Sequence, residues 1–433
     1  MLNVIFLILY IIAANLFSGT ALYVLCTLHL LICVILHLRQ KESYITPIFT
    51  FYIGVIIVNI ANIALISKIG TVYYKTYSYI IPKYIDEAAR IWCISSILFI
   101  MGYQFVLKKS LPAIDFELKK KIIIQNLFWL LLIVNALSLI GYGINLKGTQ
   151  VGRIFGMVNS IGILFYARLW AKEDNKTYRF YALSLFIVET YIALTTSFLR
   201  FELILPTFYL FAGYFIGKGH VRYIFSYRII PLLLIIMIFS SVFSSLQSNR
   251  ANFISVFSEE NSQNAVNENS SALLDRSANV AQITNIVNLV KRNGFYNGRA
   301  SAPIITALIP RAIWPDKPLI QLGIWFALEI GAAYKAENGR VNNSINMTVA
   351  GELYLDFGWL GVALGSFLFG AFIGLLWNST RFYSSEYNIS GTIFGGYIFI
   401  LSIGSYADLQ IVITLLSTYL IFLALKKFVF KGI

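Results

Sequence analysis

The stretch "TPIFTFYIGVIIVNIANIALI", residues 46–66, runs twenty-one residues without a charged side chain. The hydrocarbon core of a bilayer is about 30 Å thick, so a helix that crosses it needs about 20 mostly apolar residues. The stretch meets that length and predicts a membrane span. Working outward by the same criterion gives eleven more runs, at 1–16, 20–37, 88–107, 122–146, 154–171, 180–197, 203–217, 229–246, 357–378, 391–405 and 409–425.

Composition agrees. The chain is 58% hydrophobic and 12% charged, against about 25% charged in a soluble domain. A net charge of +14 would point to nucleic acid in a soluble protein. In a membrane protein it reads as basic cytoplasmic loops against an anionic surface, and no nucleic-acid partner is expected. Cys26, Cys33 and Cys93 all lie in apolar runs and offer neither a disulfide framework nor a metal-ligand spacing. The opening "MLNVIFLILY" has no basic n-region and no small-residue cleavage site, so it reads as an uncleaved first span. The expected fold class is an all-α polytopic membrane protein: about twelve transmembrane helices with one large extracytoplasmic loop containing short helices. Residues 1–246 would carry helices 1–9, residues 247–345 the loop, and residues 346–433 helices 10–12.

Charge sets the orientation. With the N-terminus inside, the cytoplasmic segments 38–45, 108–121, 172–179, 218–228, 379–390 and the tail hold seventeen Lys and Arg, against six in the short outer loops. That is the bias the positive-inside rule describes. Trp92, Trp170, Trp359 and Trp377 fall near the ends of runs, where amphipathic rings prefer to sit.

The outer loop 247–345 is ninety-nine residues long. Its segment "SEENSQNAVNENSS" (258–271) is polar and aperiodic, as in a flexible linker. By contrast, 273–292 and 319–334 place apolar residues at helical spacing and predict short helices at the membrane surface. The loop's cations are Arg250, Arg276, Lys291, Arg292, Arg299, Arg311, Lys317, Lys335 and Arg340, and Arg200 joins them from the short outer turn "TTSFLRFE". Guanidinium groups match phosphate oxygens bidentately and stay charged, so converging arginines suit a lipid-linked diphosphate. Solvation and headgroup contact are the leading account of single cations such as Lys291 and Lys335. In "LIPRAIWPDKP" (308–318), prolines at 310, 315 and 318 fix the backbone around Arg311 and Lys317. That rigidity suits a preorganised site, and it also suits a plain crossing loop.

Carboxylates are fewer. Asp275 adjoins Arg276. Glu352 and Asp356, with Tyr354 between them, share a face if "NMTVAGELYLDFGWLG" (346–361) is helical. Glu352 stands between Gly351 and Leu353, an apolar setting that favours a general base. An ion pair holding loop to span is the alternative. Asp86 and Glu87 with Arg90 one turn later read as a structural salt bridge. His29, His37 and His220 all fall in spans or cytoplasmic loops, so an outer site has no histidine base. The chain has no DxD, HExxH or P-loop, and neither a cofactor nor a metal is expected.

"LIPRAIWPDKP" followed by "GELYLDFGWLG" resembles the Wzy-type polysaccharide polymerases, the O-antigen and oligosaccharide repeat-unit polymerase family of bacteria. The resemblance covers about 275–361, with a weaker match at 195–202, and rests on Arg200, Arg276, Pro310, Arg311, Trp314, Pro315, Lys317, Gly351, Glu352, Phe357 and Gly358. It implies a multi-pass protein of the bacterial cytoplasmic (inner) membrane with its site facing the periplasm. The reaction it implies is a glycosyl transfer that joins undecaprenyl-diphosphate-linked oligosaccharide units. Glu352, Arg276 and Arg311 would be catalytic, and Arg200, Arg250, Asp275, Arg299, Trp314, Lys317 and Tyr354 would bind substrate. Whether a chain-length regulator protein works beside it is left open. The rival readings are an O-antigen ligase, against which the missing outer histidine weighs, and a lipid-oligosaccharide flippase or transporter. Arg168 and Glu189, charges inside predicted spans, keep the latter alive.

Overall fold

A computed structural model describes residues 2–16, 18–39, 45–67, 80–114, 121–143, 150–196, 200–219, 278–302, 314, 322–335, 341, 344–403, 412, 415–420 and 423. Within them the protein is helical, with a lone bridge between Lys335 and Val341. The helices are α1 (Leu2–Leu16), α2 (Gly19–Arg39), α3 (Pro47–Ser67), α4 (Ile85–Phe105, led in by a 3-10 turn at Pro82–Tyr84), α5 (Lys121–Gly143), α6 (Gln150–Glu173), α7 (Lys176–Thr196) and α8 (Arg200–Gly217). After a gap in the described residues come α9 (Val280–Asn293), α10 (Leu322–Glu329), α11 (Thr348–Leu360), α12 (Ser366–Thr380) and α13 (Ile389–Ile403), with a π-helical stretch Gly361–Gly365 joining α11 to α12.

Helices α1 to α8 fall on the first eight apolar runs of the sequence, and α12 and α13 lie on the tenth and eleventh. The run 229–246 lies outside the described residues, and most of 409–425 does too. Among the described residues, four helices are long and apolar enough to cross a membrane: Gly19–Arg39, Pro47–Ser67, Pro82–Phe105 and the continuous Thr348–Thr380. The exposure pattern is inverted relative to a soluble protein. Ile8, Ile11, Leu28, Ile57, Ile60 and Leu368 stand exposed, while Asn3, His29, Asn59, Asn62 and Arg168 are buried. Apolar side chains outside and polar ones inside are what lipid as solvent selects.

Lipid tails supply no hydrophobic drive between helices, so close backbone approach and polar contacts must hold the bundle. Helices α4 and α12 run parallel in close contact. A Cβ added at Gly370 would stand 2.0 Å from the Phe99 carbonyl oxygen, and one at Gly102 would stand 1.9 Å from that of Phe367. Only hydrogen fits between the backbones there. The hydroxyls of Ser95 and Ser366 add a buried bond of 2.7 Å between α4 and the start of α12. Helices α6 and α8 repeat the parallel arrangement, with Gly213 against Leu164 and Gly217 against Arg168.

These contacts define two ends. The C-termini of α4, α6, α8 and α12 share one, here called the Thr380 end: Asn378 donates to the carbonyls of Val106 and Lys109, and Arg168 reaches Thr392 at the start of α13. The Glu87 end carries the starts of α4 and α11, the end of α3, and α9. Gly219 therefore stands at the Thr380 end and Ala278 at the opposite one.

Candidate functional site

The segment "GELYLDFGWLG" (351–361) folds as a helix with a sharp bend. Helix α11 opens at Thr348, whose φ of 64° is unusual for a β-branched residue. That conformation is held locally: the Thr348 amide donates to Asn346 Oδ1 at 2.7 Å, and the Gly351 amide donates to Thr348 Oγ1 at 3.2 Å. The bend falls at Gly358, with φ 60° and ψ −142°, a conformation open only to glycine. The Phe295 ring lies over it, and a Cβ at Gly358 would stand 2.7 Å from that ring. Two turns earlier, Gly351 lets Ile286 of α9 come against α11. The glycines of the motif thus serve the docking of loop segments onto the bundle.

Both carboxylates lie on a buried face, Glu352 at 1% exposure and Asp356 at 0%. Asp356 is fully engaged. Its Oδ1 accepts the Ala300 amide at 3.0 Å, and its Oδ2 accepts the Ser301 amide at 2.8 Å together with the Ser301 hydroxyl. The backbone joins in, with the Tyr296 amide donating to Leu355 O and the Asn297 amide to Asp356 O. The turn 295–301 is therefore stapled to α11. Glu87 of α4 does similar work. It accepts the Tyr354 hydroxyl on one oxygen and pairs with Lys291 Nζ at 3.8 Å on the other, joining α4, α9 and α11. Asp86 accepts the Gly19 amide at 2.6 Å, at the start of α2.

Helix α9 is held at its start as well. Asn62 Oδ1, in the middle of an apolar span, accepts the amides of Asn279 and Val280 at 2.8 and 3.0 Å. Asn62 Nδ2 donates to Asn279 Oδ1 at 2.9 Å. Two of the N-terminal amides that the helix itself leaves unbonded are thus satisfied by another helix.

Two expectations change in detail. The acidic pair at 86–87 does not bridge to Arg90: Asp86 turns to a backbone amide, Glu87 to Tyr354 and Lys291, and the buried Arg90 Nε has no hydrogen-bond partner among the described residues. Lys291 is paired rather than merely solvated. The helical segments expected at 273–292 and 319–334 are found as α9 and the shorter α10, which Gly331 follows at φ 71°. Of the candidate site residues, Glu352 and Tyr354 share α11, and Tyr354's hydroxyl is taken up by Glu87. Arg299 is exposed in the stapled turn, and Trp314 is exposed. Arg200 begins α8. Arg250, Asp275, Arg276, Arg311 and Lys317 lie outside the described residues.

The sequence reading named Glu87 and Asp356 without their partners and did not single out Asn62. The one local signal was an asparagine inside an uncharged span, a polar group that needs a partner there.

Among the described residues, the fold and this face define a membrane-associated, all-helical protein that packs α9 and the turn 295–301 against neighbouring helices through buried polar staples. The chain belongs to the family described as domain of unknown function DUF8712, which matches residues 45–431. No curated protein and no solved structure matches it.

Proposed function

We propose that the protein is a lipid-linked oligosaccharide polymerase, a glycosyltransferase that joins undecaprenyl-diphosphate-linked repeat units into a surface polysaccharide. In this reading the chain crosses the bacterial inner membrane twelve times, with 247–345 on the periplasmic face and the chemistry at the Glu87 end. The observation that carries the proposal is the burial of Glu352 on α11, the helix against which the loop helix α9 is docked with the help of Asn62, Glu87 and Gly351. A carboxylate shielded by a structured loop is suited to take a proton where water is kept from a reactive donor. The placement of Gly219 and Ala278 at opposite ends supports a crossing by the run 229–246.

The mechanism follows from the chemistry of the donor. Glu352 takes the proton of an acceptor sugar hydroxyl, whose oxygen forms the new bond to the donor's anomeric carbon. The bond from that carbon to the diphosphate breaks, and undecaprenyl diphosphate leaves with the electron pair. Arg276, Arg311 and Lys317, with Arg200 and Arg250, are assigned to neutralise the diphosphate charge as it develops. Asp275, Arg299 and Trp314 would contact the sugars, with Tyr354 fixing the helix that carries the base. A chain-length regulator is a possible working partner.

A deletion strain tests this. Lipid-linked and surface glycans are resolved on a gel after complementation with wild type, Glu352→Gln or Arg311→Ala. Single repeats in the deletion, restored to a ladder by wild type and by neither variant, support the proposal. Long chains stranded on undecaprenyl diphosphate would make the protein a ligase. Unchanged ladders in every strain would end the polymerase reading. Transport then becomes the leading alternative, favoured by the buried Arg168 in α6.

A further inference from the structure

The Thr380 end holds a cavity of about 530 Å³ between the C-termini of α6 and α8 and the α12–α13 connection. Arg168, Lys172, Lys218, Tyr383 and Glu386 line it, beside the glycines 217 and 219. Three cations thus face one carboxylate. Lys172 and Lys218 sit where helix C-termini attract positive charge, and the helix dipole alone would account for them. Arg168 is different. It is 2% exposed, and its guanidinium donates to Thr392 Oγ1 at 3.2 Å and stacks on Phe382 and Tyr383, 4.7 and 5.8 Å from the ring centroids. No carboxylate among the described residues lies within ion-pair distance of it, because Glu386 is taken by Lys172 at 3.0 Å.

A buried guanidinium with no acid in contact, its nearby Glu386 charge shared with Lys172, leaves a ligand to supply the remaining counter-charge. Its surroundings are fixed independently. Asn388, at 0% exposure, donates to the carbonyls of Thr380 and Arg381 and accepts the Gly391 amide, which locks the connection carrying Phe382, Tyr383 and Glu386. Partial burial pushes the Glu386 carboxyl up, but its own backbone amide, Lys172 and the nearby Arg168 charge together hold it below the usual glutamate value. The field in the cavity is therefore positive even at its one acid.

We propose that this cavity is an anion site for a phosphate-bearing group, with Arg168 as its buried anchor and Lys172 and Lys218 closing on the ligand from the rim. The chemistry is shared by a free phosphate or diphosphate ester and by the headgroup of an anionic lipid in the adjoining leaflet. The site lies at the opposite end of the bundle from Glu352 and stands whether or not the polymerase assignment does.

Full-length protein in phosphatidylcholine nanodiscs, titrated with inorganic diphosphate, separates the sources. A parallel preparation in discs of phosphatidylglycerol and phosphatidylcholine is read by native mass spectrometry for retained phosphatidylglycerol. Lys172→Gln combined with Lys218→Gln removes exposed charge and leaves the bundle folded, so it carries the test; Arg168→Gln is the stronger but riskier variant. Saturable diphosphate binding, weakened about tenfold or more by the lysine changes and tightened several-fold by Glu386→Gln, assigns a soluble ligand. Phosphatidylglycerol retained by wild type and lost from the lysine variant, without diphosphate binding, assigns the lipid. Binding of neither, or binding indifferent to both lysines, overturns the proposal.

Discussion

The two ends of the bundle bury polar groups in opposite ways. At the Glu87 end, Asp356 and Asn62 are matched with donors, mostly backbone amides of the segments they hold. At the Thr380 end, Arg168 is buried against two aromatic rings and a hydroxyl, beside a cavity. Saturated polar burial fixes a shape; a buried charge without its counter-charge asks for a ligand. Substitutions at the first end should therefore cost stability, whereas loss of the rim lysines Lys172 and Lys218 should cost binding and change stability little.

The largest effect is expected from Asp356→Ala. It strands the Ala300 and Ser301 amides and frees the turn 295–301, at a cost of about 3–5 kcal/mol. Denaturant unfolding in detergent would show it, and an unchanged midpoint would sink the staple. Gly370→Leu comes next: a side chain has no room against the Phe99 carbonyl, so α4 and α12 must part, at about 3 kcal/mol or more. Asn62→Leu removes the cap that α3 supplies to α9, worth about 1–2 kcal/mol. Its signature is local, faster amide exchange across 280–293 with little change in α6 and α8.

Smaller effects sharpen the contrast. Lys291→Gln breaks a half-exposed pair with Glu87 and should shift stability by less than about 1 kcal/mol. At the other end, Glu386 contributes stability in a defined direction. Because its folded pKa is lowered, the contribution is complete above the ordinary glutamate value of 4.5 and fades as pH falls below it. Glu386→Gln should then flatten the acid side of a melting-temperature profile by lowering its neutral region, and leave the strongly acid end unchanged. A steeper acid side would reverse the sign of the field assigned to the cavity.

The legibility of each end differs for a physical reason. The motif "GELYLDFGWLG" pointed to the right helix, and the i, i+4 spacing put Glu352 and Asp356 on one face, as found. The spacing could not distinguish their surroundings: Asp356 holds a turn whose residues lie 55 and 56 positions away. The cavity was less visible still, since Lys172 and Lys218 come from segments that read separately as ordinary basic loops and Arg168 from a predicted span.

By itself the sequence determined an all-helical, membrane-associated protein and where most of its described helices lie, because a lipid solvent demands long apolar runs and leaves their length in plain view. Only the tertiary structure decided which polar groups meet. Asn62 finds Asn279 across 217 residues and Arg168 finds Thr392 across 224. No local propensity encodes such pairs. They exist because polar groups buried within the bundle are satisfied by whichever segment the packing brings beside them.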